Sequence, residues 1–255
     1  MNIFLRRRSA RMACILMSCL LFTANAFGDL LSNTDFESAV DTTMVDVLMP
    51  PFLTSEWGVD SSSVVGPENG IVPNMGASML RMVDDGLAFT QAVQRVDVSA
   101  FAALIDGNDA CVDFLATFNA PDGPNSPVAG ITVFFIGELN GNETSIFDAQ
   151  IGSESINTQT IDSNVSTWEQ VSIEGTTIPA LTRSILVQIS YQNDTLNGMP
   201  AYVDSAMMCI TECPDDECTF DLNQALCVLD GEGQLTGDFS VSGLFTNLQL
   251  SLIHI

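Results

Sequence analysis

The stretch "ILVQISYQ", residues 185–192, places apolar residues at every second position, with Gln188, Ser190 and Gln192 on the opposite face. The apolar positions are Ile185, Val187, Ile189 and Tyr191. Successive side chains of a strand point to opposite faces, so this alternation predicts a β-strand with one buried face. Residues 110–119, "ACVDFLATFN", show the same alternation. Two strands of this kind need a partner layer to cover their apolar faces.

Shorter signals of the same type occur along the chain. Residues 131–137 form a continuous apolar run, and residues 78–83 and 89–98 also have an extended pattern. Residues 140–141 are Asn-Gly, a hairpin-turn signal, while residues 99–106 alone suggest a helical turn. Many short strands separated by turns predict an all-β, antiparallel β-sandwich.

The first 26 residues have the features of a secretory signal peptide. Four arginines precede an apolar run at residues 12–22, and "ANA" at residues 24–26 is a small-residue cleavage signal. A lipoprotein signal ending at Cys19 is the less favoured alternative, since the apolar run continues past it. No later stretch reaches the roughly 20 apolar residues of a membrane span. We therefore expect a secreted or cell-surface protein without membrane insertion.

The chain that remains after residue 26 is strongly acidic. It holds all 32 acidic residues and three arginines, Arg81, Arg95 and Arg183, which leaves a formal charge of −29. Such a chain repels nucleic acid and anionic membranes, so we expect neither as a partner. Most of the acids are interpreted as solubilising, and a few as candidates for cation binding.

Cysteines cluster towards the end of the chain. Residues 209, 213, 218 and 227 are cysteine, and Cys111 lies apart from them. Export favours disulfides, although the sequence leaves their connectivity open. Zinc is the weaker interpretation, because His254 is the only histidine.

A second unit is expected after residue 212. Residues 213–255 begin with a junction rich in cysteine and acid and continue as strand, Asp-Gly turn and strand. Some 40 residues are too few for a second sandwich, which predicts a truncated β domain. The last six residues, "LSLIHI", resemble translated sequencing-adaptor read-through, so their origin in the native protein is open.

Five motifs in order resemble the galactose-binding-like jelly rolls of CenC-like carbohydrate-binding modules. They are "SNTDFES" at 32–38, Trp57, "NMGASMLRM" at 74–82, "TWEQVSIEGTTIPALTRSILVQI" at 167–189 and "AYVDSAMMCI" at 201–210. The resemblance covers residues 29–212. It implies a jelly-roll sandwich that acts as a non-catalytic binding module, with carbohydrate as the expected ligand.

The resemblance also implies a structural calcium ion between the first and last strands. Its carboxylate ligands would be Glu37 and Asp204, with backbone carbonyls near Asn33 and Gly76 completing the set. Ser205 stands where the family has a second aspartate, so the ligand set here differs from the family's at this position. Physical chemistry agrees independently, because two carboxylates that meet across strands repel unless a hard cation lies between them. The alternative is that both acids are exposed strand ends.

No catalytic constellation is present in the sequence. Without an internal histidine there is no Ser-His-Asp or Cys-His pair, and among 32 acids close carboxylate pairs arise by chance. Trp57 and Trp168 match core positions of the family, whereas Phe52 and Phe89 are candidates for stacking on a sugar. A structural surface protein and the ancillary domain of a truncated polysaccharide-active enzyme remain alternative functions.

Overall fold

The computed structural model describes residues 29–83, 89–122, 127–192 and 199–213. Contacts divide the chain into one unit that ends at Glu212 and a second that begins at Cys213. The predicted signal peptide and all but the first residue of the predicted second domain lie outside the described residues. The fold below is that of the first unit.

Eleven strands are present in the described residues. In chain order they are β1 (Thr42–Thr43), β2 (Trp57–Val59), β3 (Ser62–Val65), β4 (Met79–Val83), β5 (Thr90–Asp97), β6 (Ala110–Asn119), β7 (Val128–Ile136), β8 (Ser155–Thr160), β9 (Glu169–Thr177), β10 (Ser184–Gln192) and β11 (Pro200–Glu212). Helical turns are few: α1 (Met44–Leu48), α2 (Ala102–Asp106) and 3-10 turns at Ser99–Phe101 and Ile146–Ala149. The strands predicted around residues 110–119 and 185–192 and the helical turn at 99–106 are confirmed.

The strands form two sheets. One has six strands in the order β1-β2-β5-β10-β7-β8, and the other has five in the order β3-β4-β11-β6-β9. All pairs are antiparallel except β1 with β2. The predicted all-β jelly-roll sandwich is therefore confirmed.

The core lies between the sheets. The alternating face of β10 points into it, and Ile185, Val187 and Ile189 are fully buried there. Trp57 is 2% exposed, and its indole nitrogen donates to the carbonyl oxygen of Ser32 at 2.9 Å, so its predicted packing role is confirmed. Burial of each such side chain contributes about 1.5–3 kcal/mol before cavity effects.

Two local expectations are wrong. Residues 140–141 do not form a tight hairpin, because the connection from β7 to β8 is long and includes the 3-10 turn at Ile146–Ala149. Residues 32–38 do not form a strand either. Asn33 and Phe36 have φ angles of 47° and 50°, in the left-handed region, and such residues cannot continue an extended ladder.

Helix α1 was not predicted, although its start carries a recognisable signal. The side chain of Asp46 accepts from the backbone nitrogen of Thr43 at 3.2 Å and from its hydroxyl at 2.7 Å. Asp46 is the third residue of the helix and forms a capping box with Thr43. Val47 of this helix is buried against the outer face of the six-stranded sheet.

Candidate functional sites

Asp204 lies in β11, the central strand of the five-stranded sheet, where a bulge shifts the pairing with β6. It is fully buried, so its interpretation as an exposed strand end is wrong. Its carboxylate accepts from the backbone nitrogens of Met75 and Ser205, each at 2.8 Å. Desolvation by burial raises the pKa of Asp204 above its ordinary value, and these backbone bonds and one from Asn74 oppose that rise.

Glu37 binds the same loop from the other side. Its Oε1 accepts from the backbone nitrogens of Ala77 at 2.5 Å and Ser78 at 2.8 Å. Gly76 between these contacts has φ of 63°, and a Cβ there would overlap the Glu37 carboxylate. The structure thus brings both predicted ligands to residues 74–78, which we name the clamp loop.

The segment before Glu37 runs beside β11. The backbone nitrogen of Leu30 donates to the Met208 carbonyl and that of Ala206 to the Thr34 carbonyl, both at 2.9 Å. The negative charge of nearby Asp35 contributes to the raised pKa of Asp204. The N-terminal segment and last strand are therefore neighbours, as the family resemblance implies, although this segment is not a strand.

The other residues implied for the calcium site have protein partners. Ser205 has φ of 58°, and its hydroxyl accepts from Asn74 Nδ2 at 3.0 Å. Both side-chain amide atoms of Asn33 bond to the backbone of Ser38 at 2.9 Å. Within the described ranges, no three acidic, histidine or cysteine side chains form a metal-binding group. A cation here would therefore also need backbone oxygens, and the calcium site stays a prediction.

A second region is the outer face of the six-stranded sheet. Helix α1 and the turn at Ile146–Ala149 cover half of this face through a separate apolar cluster. Its buried members are Val47, Phe52, Val93, Ile136, Ile146 and Leu186. The covered half therefore has a small hydrophobic core of its own.

The other half of this face carries uncharged polar side chains. Gln91, Ser190, Gly130 and Thr158 lie side by side across β5, β10, β7 and β8. The next row contains Gln188, Thr132 and Ile156, and the Gln188 amide donates to Gln91 Oε1. We name these seven residues the open sheet face. They offer hydrogen-bond donors and acceptors without a formal charge.

Aromatic side chains lie at both ends of this face. Phe89 is 43% exposed and comes two residues before Gln91, so the strand period places it on the same side. Phe147 is 41% exposed and contacts Phe134 edge-on, with ring centroids 5.2 Å apart. Phe134 is two residues from Thr132 on the same face of β7. Phe147 was not recognised in the sequence, although the capped turn beginning at Ser145 is a signal for its position.

The remaining aromatic candidates have packing roles. Phe52 is only 7% exposed and belongs to the covered apolar cluster, so it cannot stack on a ligand and that prediction is wrong. Trp168 packs beside Ile71, Met79 and Tyr202, and its indole nitrogen donates to the Val72 carbonyl at 3.1 Å. Neither residue offers a free ring face on the open sheet face.

Two further observations concern the cysteines and the helices. Cys111 and Cys213 are disulfide-bonded, in agreement with the expected use of cysteine. None of the helices in the described part of the chain is long and apolar enough to cross a membrane.

Comparison with known proteins gives similarity of fold only. No family model and no curated protein matches the chain. Among solved structures, it is similar to the C-terminal family 22 carbohydrate-binding module of Clostridium thermocellum Xyn10B, with 14% identity, TM-score 0.47 and coverage of 75% of this chain and 99% of that one. A family 61 module in complex with β-1,4-galactotriose has 14% identity, TM-score 0.43 and coverage of 72% and 98%. A putative sugar-binding protein from Bacteroides thetaiotaomicron has 10% identity, TM-score 0.44 and coverage of 72% and 100%.

Proposed function

We propose that this protein is a non-catalytic carbohydrate-binding module whose ligand lies on the open sheet face. The observation that carries the proposal is this double row, in which the amides of Gln91 and Gln188 and the hydroxyls of Ser190 and Thr158 are at least partly exposed on a rigid sheet. A sugar ring presents several hydroxyls that both donate and accept hydrogen bonds, and side-chain amides satisfy both kinds of group. Sites built on strands also hold their side chains in fixed positions.

The shape and charge of the open sheet face support a neutral glycan. Gly130 has no side chain, and a Cβ there would come within 2.6 Å of the Ser190 hydroxyl. The glycine therefore leaves space above the sheet at this position. None of the seven residues is charged, in a chain with 32 acids. Phe89 and Phe147 at its two ends offer apolar ring surface. A linear neutral chain lying across the strands would contact both the amides and the rings.

Binding measurements on a panel of neutral polysaccharides test this proposal. We expect Gln188→Ala and Phe147→Ala each to weaken binding of a retained glycan about tenfold, equal to about 1.4 kcal/mol. Val45→Ala is the matched control, because Val45 is 64% exposed on α1 and does not belong to the open sheet face. If no polysaccharide of the panel binds, the proposal is overturned. Tight association with the cell envelope would then favour the structural surface protein.

We further propose that a calcium ion stabilises the clamp loop. Glu37 Oε2 accepts no hydrogen bond from the described residues, so it keeps its capacity as a ligand. Asp204 is ionisable, buried and close to Asp35, and a divalent cation would relieve both the desolvation and the repulsion. The ion would hold the loop against β11 and take no part in chemistry.

Export is part of the same proposal. It is supported by the signal-like residues 1–26 and by the disulfide bonds at Cys111 and Cys213. Amino-terminal sequencing of the protein purified from a secreting host should begin at Phe27. An intact Met1 in the cytoplasmic fraction would contradict it.

A further inference from the structure

A cavity of about 590 Å³ lies at the end of the six-stranded sheet, where β5 and β7 end and β10 begins. Arg95, Asp97, Glu138, Leu139 and Arg183 are among the residues that line it. None of the seven residues of the open sheet face does so, and the covered apolar cluster occupies the sheet between the two regions. The volume lies within the range that accommodates a small ligand.

The charge inventory makes this cavity unusual. Only three arginines follow residue 26, and two of them, Arg95 and Arg183, line this one cavity. Arg183 is neutralised, since Asp106 accepts from both of its terminal nitrogens, at 3.1 and 2.7 Å. Its positive charge is thus already used by a protein carboxylate.

Arg95 has no such partner. Its terminal nitrogens donate to the Ser184 hydroxyl at 3.2 Å and the Phe52 carbonyl at 2.5 Å, both uncharged groups. Its Nε is enclosed without a partner, and among the described residues no carboxylate lies within ion-pair distance of it. A guanidinium has five N–H groups, so most of its donor capacity is unused. A half-buried cation in this state favours a carboxylate ligand.

We propose that the cavity is a second binding site, distinct from the open sheet face, for a sugar residue that carries a carboxylate, that is, a uronic acid. Arg95 binds the carboxylate through its terminal nitrogens. The exposed carboxylate of Glu138 accepts from ring hydroxyls, and Leu139 supplies apolar surface beside the ring. The site therefore recognises one charge and several hydroxyls together.

A singly charged ligand fits this cavity better than phosphate. Asp97 already attracts the Arg95 guanidinium from beyond ion-pair distance, so Arg95 can serve at most one ligand charge, and the second charge of a phosphate would face Asp97 and Glu138 without a counter-ion. Ring hydroxyls also give the two acids hydrogen-bond donors, which an inorganic oxyanion cannot supply in the same number. The proposal thus separates a uronic acid from a general anion site.

Calorimetric titration of the full chain with digalacturonate, and with its neutral counterpart galactobiose, tests the proposal. We expect digalacturonate to bind, with affinity that falls as salt is added, and galactobiose to bind at least tenfold more weakly at this site. Arg95→Gln should weaken digalacturonate at least tenfold. Glu138→Gln keeps a side-chain oxygen that accepts from the ring hydroxyls and removes the charge that repels the ligand carboxylate, so it should tighten binding a few-fold. Asp122→Asn, at an exposed acid that does not line the cavity, should change it less than twofold.

Opposite outcomes would overturn the inference. It fails if digalacturonate does not bind, if Glu138→Gln has no effect, or if inorganic phosphate competes as well as the uronic acid does. If Arg95→Gln does not fold, the sign of the Glu138→Gln effect and the competition by phosphate still test the proposal. Binding of neutral polysaccharides and its weakening in Gln188→Ala report on the open sheet face separately, so the two proposals fail independently.

Discussion

Replacement of Asp204 by alanine separates the two roles that the structure suggests for this buried carboxylate. In a calcium chelator, the variant loses the acceptor of the Met75 and Ser205 backbone nitrogens. Each buried donor left without a partner costs about 1–3 kcal/mol, and removal of a desolvated charge offsets part of this. A net loss of about 3 kcal/mol corresponds to a fall of roughly 6–12 °C in the melting temperature for a domain of this size.

Calcium should add a second effect to the wild type alone. At a concentration one hundred times the dissociation constant, a bound ion stabilises the folded state by about 2.7 kcal/mol. Differential scanning calorimetry should therefore show a higher melting temperature in calcium than in chelator for the wild type, by about 5–10 °C, and no such difference for Asp204→Ala.

Asp113→Ala is the matched control for this experiment. Asp113 is also a partly buried acid of the five-stranded sheet whose pKa is raised, chiefly by desolvation, and it accepts from the Gly175 nitrogen at 2.6 Å. It lies outside the clamp loop, so its replacement should lower the melting temperature equally in calcium and chelator. Equal melting temperatures of the wild type in the two buffers would refute the calcium site. An unchanged Asp204→Ala in chelator would refute the backbone clamp.

The pH dependence of Asp204 gives the same experiment a second readout. Its folded-state pKa is raised, so ionisation of the carboxylate favours the unfolded state in chelator. Its contribution to stability is present below the ordinary value of 3.8 and is lost as pH rises through the raised value. Calcium binds the ionised form, so the gain from calcium should be full above that window and disappear below it.

Three further predictions concern other contacts. Gly76→Ala should lower stability more than Gly141→Ala. Both glycines have positive φ, but only a Cβ at Gly76 would overlap the Glu37 carboxylate, and nothing lies within 4 Å of a Cβ at Gly141. Chemical denaturation of both variants measures the difference, and equal losses would contradict the contact. Tyr202→Phe should cost about 1–3 kcal/mol in the same assay, since the buried hydroxyl donates to Glu68 at 2.8 Å and accepts from Asn69 at 2.6 Å; an unchanged unfolding midpoint would argue against this network. Backbone hydrogen bonds from Thr144 and Ser145 lower the pKa of Asp148, so its contribution to stability should be present above its ordinary pKa of 3.8 and be lost as pH falls through the lower folded-state value; an NMR titration midpoint above 3.8 would contradict this.

The sequence predicted those parts of the fold that local periodicity determines. The alternation at residues 110–119 and 185–192 identifies strands whose one face is buried, and the structure confirms both. The Asn-Gly signal at residues 140–141 failed because a local turn preference does not determine the length of the connection between β7 and β8. The strand expected at residues 32–38 is absent for a related reason. Contacts with distant β11 stabilise left-handed conformations there, which no local sequence pattern predicts.

The candidate sites divide in the same way. Glu37 and Asp204 were predicted as neighbours from ordered motifs, and the structure brings both to the clamp loop. The open sheet face could not be predicted, because its rows join residues from four strands and depend on register. The site around Arg95 likewise could not be predicted, because the sequence does not show which arginine forms an ion pair. In the folded chain Asp106 lies beside Arg183 and not beside Arg95.

The central position of β11 determines when this domain can fold. It joins β4 to β6, and the segment at residues 29–34 also bonds to it, 179 residues away at the contact between Asp29 and Met208. Without β11 the five-stranded sheet separates into two unconnected strand pairs. We therefore expect ribosome-bound chains that stop before residue 200 to remain protease-sensitive, and the sandwich to form late and in one cooperative step once its last strand is available.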